Sequence, residues 1–194
     1  KPEAGMRSQV IVRGKVWRTL PWREYYQHRA ELLTVIEQSL TTLRREHDVV
    51  VIEGAGSPAE INLRAGDIVN MRIAALADAP VLLVGDIDRG GVFASLYGTV
   101  ALLDSADRQL INAFVINKFR GDPRLFDDGY RLIGVRTGWP GFGVVPFFAD
   151  AAKLPAEDAL DLPQGGGSGG ALKVVCLTLS RIANFDDLDP LAQE

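Results

Sequence analysis

Between residues 22 and 46 the apolar positions recur at helical spacing. Leu32, Ile36, Leu40 and Leu43 fall at i, i+4, i+8 and i+11, which lines one face of a helix. Arg29, Glu31, Glu37, Arg44 and Arg45 fill much of the rest. The period then changes. Val49-Val50-Val51-Ile52 is a continuous apolar run that ends in Glu53-Gly54-Ala55-Gly56. A short run without alternation predicts a strand buried on both faces, as in parallel sheets. The unit recurs. Residues 67–77 read as a helix, with Ile68, Met71, Ile73 and Leu76 apolar. Pro80 leads into a strand at 81–84, which runs out through Gly85-Asp86-Ile87-Asp88-Arg89-Gly90-Gly91. A helix follows at 92–103, then a third buried strand at 111–116, ending in Asn117-Lys118-Phe119-Arg120-Gly121-Asp122. Residues 125–137 give another helix and 143–146 a short fourth strand. This alternation predicts an α/β fold, a mostly parallel sheet with helices on both faces and right-handed crossovers.

The flanks differ. Gln9-Val10-Ile11-Val12 is a β-rich run, and Arg13-Gly14-Lys15 a turn. Residues 150–164 are acidic and read as surface-lying, 165–170 as a flexible Gly/Ser linker, and 172–179 as a last apolar strand. The opening Lys1-Pro2 reads as neither an initiator nor a leader, so the chain is expected to be an interior portion of a longer protein.

With 194 residues, 47% apolar and 24% charged, the chain can build a core without staples. No run approaches the ~20 apolar residues of a membrane span, and no cationic apolar leader is present. Cys176, the one cysteine, cannot form an internal disulfide. It sits in Val174-Val175-Cys176-Leu177 and reads as a core thiol, which fits a reducing, cytoplasmic setting. The net charge is −4 and the 21 Lys+Arg are scattered, which argues against a nucleic-acid partner. His28 and His47 lack a partner pattern. Trp17, Trp22, Tyr25 and Tyr26 read as packing residues.

Ligands of open parallel sheets bind beyond the carboxyl ends of the strands, so the strand ends are the places to look. Glu53 follows an apolar run and precedes Gly54 and Gly56. A carboxylate there suits a magnesium ion beside phosphates, and the glycines let backbone approach a ligand. An acidic turn is the alternative. Asp86, Asp88 and Arg89 suit either a metal–phosphate pair or a self-satisfied ion pair. Asn117, followed by Lys118, suits a purine edge or a turn. Asn62, Arg64 and Asp67 lie in the long connection after Glu53, and Asp67 is equally the N-cap of the next helix. No G-x-x-x-x-G-K-[ST] loop occurs among the 194 residues.

Four stretches carry a family resemblance. Val51-Ile52-Glu53-Gly54-Ala55-Gly56-Ser57-Pro58-Ala59-Glu60-Ile61-Asn62-Leu63 closely resembles the cobyric acid synthase family, glutamine-dependent corrin amidases of cobalamin biosynthesis. The stretches at 85–94, 114–122 and 181–190 agree with it, as do Lys1-Pro2 and Ser8-Gln9-Val10-Ile11-Val12 in order. The resemblance implies a P-loop-related, dethiobiotin-synthetase-like ATP domain joined to a glutamine amidotransferase domain. It implies ATP and Mg2+, a corrinoid substrate, ammonia from glutamine, and conversion of the a,c-diamide to cobyric acid through an acyl phosphate. It further implies Glu53 as magnesium ligand, Asp67 handling the phosphorylated intermediate and Asn117 facing adenine. Asp86, Asp88 and Arg89 would line the phosphate and substrate region. Asn62 and Arg64 are the substrate-side candidates, with Lys118, Gly54 and Gly56 on the nucleotide side.

Two parts of that family's pattern are missing from the sequence: the phosphate loop with its strand, and the amidotransferase domain with its Cys and His. The expectation is a truncated synthetase domain over 1–164, the linker at 165–170, and at 171–194 a strand and the start of a connection to the amidotransferase domain. Such a fragment is expected to be inactive alone. Loss of a central strand would expose a sheet edge and favour homo-oligomers. The alternatives are a partitioning or assembly ATPase of the P-loop class, the sibling a,c-diamide synthase, or a non-catalytic scaffold.

Overall fold

The apolar runs that lack alternation build the sheet. In the computed structural model, which describes residues 2–3 and 7–153, β4 (Val81–Asp86), β5 (Ile111–Phe119) and β6 (Gly141–Pro146) form a parallel sheet in that order. The central strand is β5. Its adjacent residues Ala113 and Phe114 point to opposite faces and are 1% and 0% exposed, so both faces are covered. The α/β reading with a parallel sheet therefore holds.

Helices follow the periodic segments, with shifted ends. The segment 22–46 becomes a short helix α1 (Trp22–Tyr25), a 3-10 turn (Tyr26–His28) and the long α2 (Arg29–Glu46), which buries Leu32 and Leu40. The segment 67–77 contracts to α3 (Met71–Ala77). The segment 92–103 becomes α4 (Val92–Leu102), and an unanticipated α5 (Ser105–Leu110) follows. Asp104 starts α5 by accepting the Asp107 N–H at 2.8 Å. The last helix, α6 (Asp127–Thr137), ends at Gly138 with φ 74°, a left-handed stop that glycine adopts without cost. One core joins Met71 of α3, Leu96 of α4, Phe114 and Ile116 of β5, Ile133 of α6, and Trp139.

Two expectations are corrected. The run at 49–52 is not a strand: Val49 is 77% and Val51 90% exposed. An apolar run becomes a strand only when a neighbour takes up its backbone donors and acceptors, and among the described residues none does so here. The second correction concerns β4, whose composition implied burial on both faces. Leu82 and Val84 are 45% and 57% exposed, because among the described residues β4 is an edge strand that pairs with β5 alone. Such an edge invites pairing with another copy. Sedimentation velocity is expected to show concentration-dependent association that Val84→Lys reduces. Identical profiles for the two chains would contradict this.

Residues up to Tyr25, with Ala149–Lys153, belong to a separate unit from Tyr26–Phe148. That unit contains the antiparallel strands β1 (Pro2–Glu3), β2 (Arg7–Val12) and β3 (Lys15–Pro21). Arg13 and Gly14, at φ 50° and 77°, make the expected turn, and its two positive φ values match the twist of a hairpin. The linker at 165–170, the strand at 172–179 and Cys176 lie outside the described residues. No helix among the described residues is long and apolar enough to cross a membrane.

Candidate functional site

The parallel register brings the tips of β4 and β5 together, with Asp86 and Asn117 as Cα partners. Asp86 Oδ2 accepts from Lys118 Nζ at 2.9 Å and lies 3.6 Å from Arg89 Nε. Its other oxygen accepts the Asp88 N–H at 3.0 Å. The Lys118 hydrogen bond, aided by the Asp88 N–H and the Arg89 charge, holds the Asp86 carboxyl below its ordinary value. Asp88 in turn accepts from Arg120 Nε and Nη2 at 3.1 and 3.4 Å. The Arg120 guanidinium lies 3.3 Å above the Phe147 ring, a cation–π contact that ties the end of β6 to this cluster. Three cations thus face two carboxylates, and the surplus positive charge suits an anion.

Asn117 and Lys118 adopt unusual geometry. Asn117 Oδ1 accepts the Lys118 N–H at 2.8 Å, so its oxygen is turned to its own backbone while its amide N–H groups stay available. Lys118 has φ 62°, a left-handed conformation uncommon for a side chain with Cβ and typical of functional sites. Sequence reasoning missed Arg120 and Phe147. Arg120 did carry a signal, since it continues the two-residue period of Lys118 beyond the strand.

The connection before α3 organises a second group. Asp67 Oδ1 accepts the N–H groups of Val69 and Asn70, each at 2.8 Å, and Oδ2 that of Arg72 at 3.0 Å. Burial would raise its pKa, but these three donors and the Arg64 charge outweigh it and hold the carboxyl below its ordinary value. Both Asp67 oxygens are thus engaged in capping. Arg64 is spent elsewhere: its Nε and Nη2 both donate to Asp107 of α5, which is 3% exposed. The fork expected to meet substrate is held by a carboxylate 43 residues on. Asn62 is exposed on a turn. Glu53 is exposed and makes no hydrogen bond or ion pair among the described residues. The backbone beside it is bracketed, because Ala55 N–H donates to Asn70 Oδ1 at 3.0 Å and Asn70 Nδ2 donates to Ala55 O at 2.8 Å.

The two groups are not joined by any hydrogen bond or ion pair among the described residues. Asp86, Asp88, Arg89, Asn117 and Lys118 thus lie together at the tips of β4 and β5, while Glu53 and Asp67 are organised around the start of α3. A cavity of about 300 Å³ between α4 and α6 is lined by Phe93, Tyr97, Leu132 and Ile133, and none of the candidate residues lines it. A divalent cation needs a carboxylate with free lone pairs. Glu53 meets that need, whereas Asp86 is already held by Lys118 and Arg89. No group of three or more His, Cys, Asp or Glu among the described residues could form a cage by itself.

Because Asp67 has a lowered pKa, its cap contributes stability that is complete above the ordinary carboxylate value of about 4. That contribution is lost as the pH falls through the lower folded value. Asp67→Ala is expected to cost about 1 kcal/mol at pH 7. The gap between variant and parent melting curves should close toward pH 3. A gap of constant size would remove the capping account.

Comparison with known proteins follows the same lines. The chain is 60% identical over 194 residues to "Cobyric acid synthase" of Rhodobacter capsulatus and 56% identical to that of Jannaschia sp. (strain CCS1). It is 56% identical over 195 residues to that of Sphingopyxis alaskensis. Each alignment takes in 100% of this chain and 40% of the relative, so the chain spans two fifths of the length of these curated proteins. No solved structure matches. A family described as an AAA domain matches residues 21–153, a stretch that holds the whole parallel sheet and both residue groups, and the chain belongs to that AAA domain family.

Proposed function

We propose that this chain forms the carboxylate-activating part of an ATP-dependent amide ligase. In this reading it prepares side-chain carboxylates of a corrin acid, the a,c-diamide, for amidation by ammonia released from glutamine. The observation that carries the proposal is the 60% identity over the entire chain to a protein named cobyric acid synthase. The geometry supports the phosphoryl-transfer half.

A carboxylate is a poor electrophile. Attack of its oxygen on the γ-phosphorus of ATP breaks the bond to ADP and leaves an acyl phosphate. Ammonia then attacks the acyl carbon, phosphate departs, and the nitrogen loses a proton. The first step depends on charge neutralisation and positioning. Lys118 and Arg89, now shared by Asp86, would transfer part of their hydrogen bonding to phosphate oxygens. Arg120, seated on Phe147, would keep Asp88 in place. The free N–H groups of Asn117 would meet an acceptor on the purine edge. Glu53 would hold Mg2+, which supplies charge neutralisation at the phosphates when bound. Asp67 would act through the turn it caps. In this reading the protein works in the cytoplasm.

The test is a chimera in which the aligned stretch of the Rhodobacter capsulatus protein is replaced by these 194 residues. Glutamine-dependent amidation of cobyrinic acid a,c-diamide, with stoichiometric ADP, is the expected result, read by mass spectrometry. A folded chimera that hydrolyses glutamine and amidates no corrin carboxylate would overturn the proposal.

A further inference from the structure

We propose that Asn70 is a positioning residue that sets the place and rigidity of the Glu53 loop. This rests on the reading of Glu53 as a divalent-cation carboxylate. The carrying observation is an exchange of duties at the start of α3. Asn70 occupies the N-cap position, where an Asn side chain ordinarily accepts a helix N–H. Its side chain makes no capping bond. Asp67 takes that duty, holding the N–H groups of Asn70 and Arg72. The Asn70 amide is thereby released to reach 15 residues back, where it both accepts from and donates to Ala55. A single side chain thus imitates one rung of a β-ladder for a segment that has no strand partner among the described residues.

Gly54 belongs to the same device. A Cβ on Gly54 would stand 2.3 Å from Asn70 Oδ1, inside any permitted contact, and its φ is not in the left-handed region. The glycine is required by the nearness of the amide, not by backbone conformation. Glu53 is joined directly to this residue, and the two hydrogen bonds fix the backbone of Ala55, two positions beyond the carboxylate. Preorganising a ligand's backbone strengthens its hold on the ligand.

The test uses the chimera described above with Gly54→Ala, Asn70→Ala, the double variant and Glu53→Gln. The first readout is hydrogen exchange at the Ala55 amide, which a merely global effect would move together with every other slow amide. Asn70→Ala is expected to speed this exchange roughly 10-fold, with β5 amides unchanged. Gly54→Ala should do the same alone and add nothing in the Asn70→Ala background, where the obstructing amide is gone. Equal effects of Gly54→Ala in both backgrounds, or unchanged exchange in Asn70→Ala, would overturn the clamp. The second readout is Mn2+ binding in the presence of ATP, followed by electron paramagnetic resonance. Asn70→Ala is expected to weaken it about 10-fold, and Glu53→Gln at least as much. Binding weakened by Glu53→Gln but untouched by Asn70→Ala would sink the positioning role alone. Binding indifferent to Glu53→Gln would sink the metal reading of Glu53, and the exchange arm would still decide the clamp.

Discussion

Truncating Phe114 to alanine is expected to lower the unfolding free energy by about 3–5 kcal/mol. The ring is fully buried at the centre of β5, tilted against Tyr130 with 5.2 Å between centroids. Its own N–H is taken by Pro140 O at 3.1 Å. Ile116, Ile133 and Trp139 belong to the same core. Neighbours from a strand, a helix and a loop cannot all move inward, so most of the vacated volume stays as a cavity. For a chain of this size the thermal midpoint should fall by roughly 10 °C. Phe114→Leu, which keeps more of the volume, should lose less than half as much. A midpoint within 2 °C of the parent (roughly the scale of a surface change) would mean that β5 is not the centre of the core.

The second large effect is catalytic. Lys118→Gly, placed in the chimera described above, is expected to lower kcat/KM for corrin amidation roughly 100-fold. Glycine is the informative choice because the backbone there is left-handed, at φ 62°. It keeps that conformation at no steric cost and removes the ammonium together with its exposed aliphatic stem. The melting temperature should therefore stay close to that of the parent while turnover collapses. Lys118→Arg should recover part of the rate, since a cation returns, although the side chain meets Asp86 in a different geometry. Full activity in Lys118→Gly would show that the ammonium serves only Asp86.

These two residues also mark the difference between what composition declares and what pairing decides. The run at 111–116 announced a buried strand and became one. It continues to Phe119, so Asn117 and Lys118 are the last turns of the ladder and not a loop beyond it. The run at 49–52 has the same apolar character and is no strand among the described residues. A side chain carries its hydrophobicity with it, but a ladder needs a second strand at the right distance, and no single run encodes its partner. The six-residue α5 was missed because it holds too few apolar positions for periodicity to register, although Asp104 ahead of it is a local capping signal. Arg64 and Asp107 lie 43 residues apart and pair across the fold. Asn70 was overlooked because its work is done on a backbone 15 residues away. For Asp67, two readings were open, and the three N–H donors show where its oxygens are used.

Read alone, the order of amino acids determined most of the alternation of helix and strand and the parallel sheet, because period and apolar run length are local properties. Tertiary structure decided the partners: Lys118 with Asp86, Arg120 on Phe147, Arg64 with Asp107, Asn70 with Ala55. Each of these pairs depends on distances between segments that only the packed chain brings within reach.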